Sequence, residues 1–496
     1  MSDKENLKSK AISGSLWSLV ETFSVQIVQF IVGVVLARIL EPKDYGLIAL
    51  TGIFTSISAA ITDGGFEKTL IQKKDISPIQ ISTIFYINVM LGAFMTLLLI
   101  VIAPFISTFF KAPALTPILQ VISFGILLTS LAQTQQTLIL KELQFKKISY
   151  IRIATSLIGG VTGLILAFAG FGVWALVYSM LVPQIFRVVF FWIRSSWYPQ
   201  LAFSFSAVKA LIPYGMNILG SSIFFFMIQQ FNTFIVGRYY TKENLGLFNR
   251  GNKFPDLVVS ILQSVVLKMS LPIFAKLQDQ PVQLLDAVKK TNKIVAFVSF
   301  PLLILLLIKA EDITILLFTE KWRGSIIFLQ LFCVVKLIEP FISIHRELIL
   351  AQGLAKLLFK IFIILSVVEM SLIFLVIRYG IIYLVAATFV SRVGQYLTYT
   401  VINSKRLGNV WTKELGWYKP YVVLTIFMSI IVILSEYMII YSGINIPLIL
   451  KLPLQLALGL ITYIFLAFKF KVDEISLINT VISMATQKFK KTNTSN

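Results

Sequence analysis

The sequence is poor in the residues from which most redox and metal sites are built. Its 496 residues include one cysteine, Cys333, and one histidine, His345. A single cysteine excludes an internal disulfide and a thiolate metal site, and a single histidine excludes a proton relay made of histidines. Charged residues are also scarce, at 14% of the chain, and the 23 acidic ones are outnumbered by 44 basic ones. We expect no metal and no cofactor.

The chain also lacks a stretch polar enough to form a soluble domain. It is 57% hydrophobic with a mean hydropathy of +0.86, and about fourteen apolar runs are long enough to cross a bilayer. We predict an all-α integral membrane protein, and the first run is too long for a cleavable signal peptide. The predicted spans are 16–40, 45–61, 81–110, 115–140, 150–169, 173–193, 211–237, 247–267, 294–308, 325–344, 357–377, 381–402, 421–440 and 446–468.

The net charge of +21 has an uneven distribution along the chain. If the N-terminus is cytoplasmic, the alternate loops that become cytoplasmic hold roughly two thirds of the Lys and Arg, as the positive-inside rule requires. We therefore predict that both termini are cytoplasmic and that the turn at 241–244 lies outside. The basic charge indicates contact with membrane lipids rather than with nucleic acid.

Two stretches of the chain resemble each other. LARILEPKDYGL at 36–47 and VGRYYTKENLGL at 236–247 share Arg38 with Arg238 and Gly46 with Gly246 in register. Six predicted spans separate the copies, which makes the two halves parallel. We predict two pseudo-symmetric six-helix lobes around a central cavity, at 1–194 and 211–403, joined by an interfacial linker at 195–210. Residues 404–496 then supply two further spans and a cytoplasmic amphipathic tail.

Polar side chains recur on one face of several predicted spans. On the eighth span they cluster on one side of the helix at 100° per residue, with Arg250 on the shoulder of that face. Such stripes favour a polar cavity, although hydrogen bonds between helices and a local Lys253–Asp256 pair are alternatives. The candidate cavity residues are Asn249, Arg250, Asn252, Lys253 and Asp256 on the eighth span, Gln29 on the first, and Gln229 and Asn232 on the seventh.

Three acidic residues in or near the spans are candidates for ion coupling: Glu21, Glu339 and Glu369. A carboxylate inside a bilayer can exchange a proton or bind Na⁺, but it can equally be a structural hydrogen-bond acceptor. Glu339 can pair with Lys336, whereas Glu369 has no cation one turn away. Arg187 and Arg392 are weaker cavity candidates, since both can snorkel to the nearby membrane surface.

A set of short motifs in a fixed order carries a family resemblance. The chain resembles the polysaccharide flippases of the O-antigen and capsule type, in the superfamily that also holds MATE drug exporters and lipid II flippases. That resemblance implies a protein of the bacterial cytoplasmic membrane that moves an undecaprenyl-diphosphate-linked oligosaccharide outward by alternating access. It also implies a polymerase and chain-length machinery as further partners. The motifs are GFEKTLIQKKD (65–75), LKELQFKKISY (140–150), GFGVWALV (170–177), LGLFNRGNKFP (245–255), LPIFAKLQDQP (271–281) and FTEKW (318–322).

Other functions remain open on sequence grounds. A MATE-type exporter of cationic drugs shares the fold but favours an acidic or aromatic cavity, and a lipid II-type flippase shares the lipid-diphosphate chemistry. A membrane glycosyltransferase or polymerase needs an acidic metal motif or a large outer loop, and the chain has no D-x-D. We therefore predict that the protein is not an enzyme. A scaffold would not explain polar faces repeated in both halves.

Overall fold

The computed structural model describes residues 2–63, 70–71, 76–408 and 411–475. These residues form sixteen α-helices and one 3₁₀ helix, and they contain no β-strand. The α-helices are α1 Ser2–Ile39, α2 Pro42–Asp63, α3 Pro78–Phe109, α4 Leu115–Lys141, α5 Phe145–Phe168, α6 Val173–Arg194, α7 Phe205–Tyr239, α8 Lys242–Lys276, α9 Pro281–Ile308, α10 Ala310–Phe318, α11 Ile326–Lys336, α12 Glu339–Ala351, α13 Ala355–Val376, α14 Ile381–Leu407, α15 Trp411–Tyr441 and α16 Leu448–Lys469; the 3₁₀ helix is Glu320–Ser325.

The helices confirm a multi-pass membrane protein. Within the described residues, twelve segments are long and apolar enough to cross a bilayer, and α11 with α12 counts as one of them. The helices α7 and α8, each of 35 residues, are not among the twelve, but they coincide with the seventh and eighth predicted spans. The count of fourteen and the lobe boundaries stay predictions.

The tenth predicted span differs from the observed helices. It divides into α11 and α12, because Pro340 lies at the start of α12. Proline lacks an N–H donor and disfavours helical backbone immediately before it. The short stretch around Ile313, between the ninth and tenth predicted spans, forms its own helix, α10.

The chain divides into two compact units, Met1–Asn249 and Arg250–Asn496. In the first unit, α5 lies between α1 and α6 and approaches both closely through glycine. A Cβ on Gly160 would lie 2.6 Å from Val32 Cγ2 of α1, and one on Gly159 would lie 2.5 Å from Pro183 Cγ of α6. Small residues at such points let the helix backbones come together, which is how membrane helices gain dispersion contacts.

The repeated stretches meet within the first unit. The helix α1 ends at Ile39 and α2 begins at Pro42, and at an offset of 200 α7 ends at Tyr239 and α8 begins at Lys242. Gly46 and Gly246 lie in reciprocal contact: a Cβ on Gly46 would fall 1.8 Å from the Lys242 carbonyl oxygen, and one on Gly246 would fall 1.8 Å from that of Pro42. The shared glycines therefore permit a backbone contact between the starts of α2 and α8.

The linker before α7 is fixed to α3. The Gln200 N–H donates to Ser82 Oγ at 2.9 Å, and the Ser204 N–H donates to Thr83 Oγ1 at 3.0 Å. Trp197 packs edge-on against Phe85, with ring centroids 6.0 Å apart. These bonds satisfy backbone donors of an irregular segment.

In the second unit, α9 packs against α15 and α16. Their shared core includes Phe297, Met428, Val432 and Tyr463, all buried. An ion cluster joins the same helices: Lys309 contacts Asp312 at 3.3 Å and Glu436 at 2.5 Å, and Lys451 of α16 also contacts Glu436. The two helices beyond residue 404 thus belong to the packed body of this unit.

Two segments named in the sequence analysis lie mostly outside the described residues. They are the GFEKTLIQKKD segment after α2, of which the structure describes only 70–71, and the amphipathic tail helix beyond 475.

Candidate functional site

A polar cleft lies in the first unit between α1, α5 and α6. Its volume is about 740 Å³. Two predicted residues, Glu21 and Gln29, line it. Further polar side chains on its walls are Thr22, Gln26, Arg152, Thr155, Ser156, Ser179, Gln184 and Arg187. The cleft thus combines amides, hydroxyls and two guanidinium groups within membrane helices.

Glu21 does not stand alone in this cleft. Its Oε1 accepts from Arg152 Nη1 at 2.8 Å, and its Oε2 accepts from Ser149 Oγ at 3.1 Å. The Glu21 side chain is 13% exposed, whereas that of Arg152 is 45% exposed. The pair therefore buries the carboxylate and leaves part of the guanidinium accessible from the cleft.

A second cleft, of about 540 Å³, shares Gln184 and Arg187 with the first. Arg187 Nη2 donates to Gln136 Oε1 of α4, and its guanidinium lies 5.9 Å from the Phe191 ring centroid. Gln136 is a neutral partner, and this bond holds the Arg187 guanidinium against α4. Arg187 therefore has a partner on a neighbouring helix, and snorkelling stays an alternative.

Several residues of the second cleft were missed by the sequence analysis. Gln133 Nε2 of α4 donates to Asp63 Oδ1 at the end of α2, at 3.0 Å. Gln133 and Gln136 stand three residues apart in a polar stretch, QTQQT at 133–137, of a membrane helix. Intramembrane polar side chains at helical spacing were the signal that could have identified them.

The predicted cavity residues on α8 have different neighbours in the structure. Asn249 Nδ2 donates to Leu245 O one turn earlier, at 3.0 Å. The Arg250 guanidinium lies over the Phe318 ring, 3.9 Å from its centroid, and 5.5 Å from that of Trp322. Lys253 is exposed and Asn252 is half-buried. Arg250 and Lys253 thus have different surroundings although they lie on one helix.

Asp256 pairs with Lys336, not with Lys253. Lys336 Nζ lies 2.8 Å from Asp256 Oδ1 and 2.8 Å from Glu339 Oε2. The predicted Lys336–Glu339 pair is therefore present, but it is part of a larger cluster. The alternative in which Lys253 pairs with Asp256 is wrong.

The cluster continues across α13 and α14. Arg392 Nη2 lies 3.3 Å from Glu369 Oε1, and its Nε lies 3.9 Å from Glu339 Oε1. Ser391 Oγ donates to Glu369 Oε2 at 3.3 Å. Glu369 has no cation one turn away on its own helix, as predicted, but Arg392 of the neighbouring helix pairs with it. The ion chain, as we name Asp256, Lys336, Glu339, Arg392 and Glu369, holds three carboxylates and two cations.

The two candidates on α7 stand apart from both clefts of the first unit. Gln229 is exposed and Asn232 is half-buried, and neither lines these clefts. Among the described residues, no group of three or more His, Cys, Asp and Glu is suited to hold a metal.

Comparison with known proteins gives consistent matches. A family model described as "Polysaccharide biosynthesis protein" matches residues 35–327. The chain is 24% identical over 356 residues to the teichuronic acid biosynthesis protein TuaB of Bacillus subtilis. The match covers 71% of this chain and 74% of TuaB. It is 26% identical over 357 residues to the lipopolysaccharide biosynthesis protein WzxC of Escherichia coli, and this match covers 72% of this chain and 73% of WzxC.

Among solved structures, the lipid II flippase MurJ in an inward closed conformation superposes with a TM-score of 0.73 at 16% sequence identity. The superposition covers 93% of this chain and 99% of MurJ. At that identity the likeness establishes the fold.

Proposed function

Because the chain belongs to the polysaccharide biosynthesis protein family, we propose that it is a flippase for an undecaprenyl-diphosphate-linked oligosaccharide. It carries this lipid from the inner to the outer leaflet of the bacterial cytoplasmic membrane by alternating access, with both of its termini in the cytoplasm. It acts as a transporter rather than an enzyme. The observation that carries the proposal is the polar cleft of the first unit, which holds two arginines and several amides inside membrane helices.

The cleft offers both kinds of group that such a cargo needs. Arginine presents paired donors to phosphate oxygens in the plane of its guanidinium. Arg187 is bonded to a neutral amide, and Arg152 is partly exposed beside Glu21. Gln26, Gln29 and Gln184 supply donors and acceptors for sugar hydroxyls. We propose that Arg152 and Arg187 contact the diphosphate and that the glutamines contact the saccharide.

Arg250 and Lys253 contribute to the same function in different ways. The Phe318 ring covers one face of the Arg250 guanidinium, and a stacked guanidinium still presents its edge donors to an anion. We propose that the ring orients Arg250 toward phosphate. Lys253 is exposed and supplies a mobile point charge.

The decisive experiment measures which leaflet holds the lipid-linked oligosaccharide. In cells that lack this protein, the lipid should accumulate on the cytoplasmic side, and wild-type protein should restore export. Arg187→Gln should restore it poorly, since a charge-assisted contact contributes about 1.5–3 kcal/mol, or roughly tenfold to a hundredfold in affinity. Arg378→Gln, at an exposed position just beyond α13, is the matched control.

Two results would count against the proposal. An unchanged leaflet distribution together with lost drug resistance would identify an exporter. Normal export by Arg187→Gln, at equal protein abundance, would remove Arg187 from the cargo site.

Lys253 permits a cleaner test than Arg250. Arg250→Ala also removes packing on Phe318, so its loss of function would be ambiguous. Lys253→Ala removes an exposed charge alone and should reduce export without lowering thermal stability. Lys276→Ala, at another exposed lysine of α8, should leave export unchanged.

A further inference from the structure

A separate pocket of the first unit lies between the start of α5 and the end of α6. Its volume is about 590 Å³. It shares no residue with the two polar clefts. Among the residues whose side chains the structure describes, its lining comprises three cations and an apolar wall, without a carboxylate: Lys146, Lys147, Tyr150, Ile151, Ala154, Phe190, Ile193 and Arg194.

The cations gather where two helix ends meet. Lys146 and Lys147 stand in the first turn of α5, whose backbone N–H groups add a partial positive charge, and Arg194 is the last residue of α6. All three are exposed. Lys146 Nζ lies 5.5 Å from the Trp17 ring centroid and 5.9 Å from that of Tyr150. These aromatic contacts hold the ammonium at the pocket without neutralising it.

The wall of the pocket is apolar and can contact an acyl chain. Tyr150 is 55% exposed and Ile193 is 70% exposed, and Phe190 and Ala154 complete the apolar surface between them. The lined part of α5 runs from 146 to 154, a rise of roughly 12 Å at 1.5 Å per residue. One turn further on, α5 and α6 close together at Gly159.

We propose that this pocket binds one anionic glycerophospholipid. Its phosphate lies among Lys146, Lys147 and Arg194, and one acyl chain follows the wall past Tyr150 and Phe190. Basic pockets between membrane helices recognise anionic headgroups in this way. A free phosphate would leave the wall uncovered, and an oligosaccharide would find only the Tyr150 hydroxyl among the uncharged lining side chains. The site is independent of the proposed transport function.

The test uses the purified full-length protein in detergent with equimolar phosphatidylglycerol and phosphatidylcholine, and native mass spectrometry counts the retained lipids. Wild-type protein should retain phosphatidylglycerol selectively. Each cation near a charged headgroup contributes roughly a fivefold factor, so Lys146→Gln/Lys147→Gln should reduce retention on the order of 25-fold. Lys356→Gln/Lys360→Gln, which removes two exposed lysines from the start of α13, is the matched control and should change nothing.

A second variant tests the wall with every cation in place. Ala154→Phe should fill the pocket and abolish selective retention. If that variant is not monodisperse, Ile193→Glu at a largely exposed position should have the same effect by repelling the headgroup.

Four outcomes would overturn the proposal. They are equal retention of both lipids by wild-type protein, an equal loss in the control pair, and retention that survives the wall variants. The fourth is displacement of phosphatidylglycerol by inorganic phosphate, or by a polyprenyl diphosphate at lower concentration than phosphatidylglycerol itself. That result would assign the pocket to a headgroup alone or to the transported lipid.

Discussion

The reciprocal glycine contact between α2 and α8 gives the sharpest prediction. An added Cβ on Gly46 or on Gly246 would lie 1.8 Å from a backbone carbonyl oxygen, and real Cβ contacts below 3.0 Å essentially do not occur. The obstructing atoms belong to Lys242 and Pro42, and a carbonyl in a helix cannot rotate away as a side chain can. The two helix starts must therefore separate by at least about 1.2 Å.

The cost of that separation sets the expected effect. Overpacking at a close contact costs about 1–3 kcal/mol, which corresponds to roughly a 5- to 150-fold shift between two arrangements. If the contact closes one end of the transport path, Gly46→Ala and Gly246→Ala should each favour the state in which the helix starts are apart. Surface polysaccharide should fall, because alternating access needs both states.

Spin labels can measure the change directly. Lys43→Cys and Glu243→Cys place labels at exposed positions beside the contact, in a background from which buried Cys333 has been removed. Pulsed electron paramagnetic resonance should give longer distances for Gly46→Ala and Gly246→Ala than for the labelled parent.

The control for this prediction lies on the same helix. A Cβ on Gly52 meets no heavy atom within 4 Å, so Gly52→Ala should leave the distances unchanged. Unaltered distances in Gly46→Ala and Gly246→Ala would refute the reasoning, since the added atoms would then have been accommodated without moving the backbone.

Three further predictions concern an ion pair, a contact between two helices and the membrane orientation. Glu369→Gln removes the nearest counter-charge of Arg392 and should lower the free energy of unfolding by about 1–3 kcal/mol; an unchanged melting temperature would contradict the pairing. Leu50→Cys/Gly237→Cys should form a disulfide on oxidation, because Leu50 Cγ lies 3.5 Å from the ideal Cβ of Gly237 and a disulfide needs closely spaced Cβ atoms. The disulfide should stop transport until it is reduced; continued transport would exclude rocking of these helices. A cysteine at Asn244 should react with an impermeant reagent from outside intact cells, and reaction only after permeabilisation would reverse the predicted orientation.

The sequence predicted the membrane helices well because bilayer thickness imposes a length on every apolar run. It also predicted the repeat, since Gly46 and Gly246 occur in the same motif and meet in the structure. The break between α11 and α12 was missed, because an apolar run continues through Pro340 and hydropathy does not register the missing backbone donor.

The polar face of a helix was easier to predict than the residue on a neighbouring helix that pairs with it. Periodicity placed Asp256 on a polar stripe, but it carries no information about the helix that supplies Lys336. Glu369 likewise has no cation one turn away on its own helix, and its partner Arg392 comes from the next helix. Gln136 escaped notice because its role depends on Arg187, 51 positions away.

The ion chain changes how the coupling candidates are to be understood. Glu339 and Glu369 are not independent sites, because Arg392 lies within 4 Å of both. If a proton or Na⁺ neutralises Glu369, Arg392 can turn toward Glu339, which already holds Lys336. The ion chain has one carboxylate more than it has cations, and an incoming proton or Na⁺ would balance that charge. Movement of the Arg392 guanidinium would then transmit the neutralisation of Glu369 from α13 to Glu339 on α12. Neutralising one glutamate should therefore weaken coupling. Neutralising both leaves the half-buried Arg392 without either carboxylate and should lower the free energy of unfolding further.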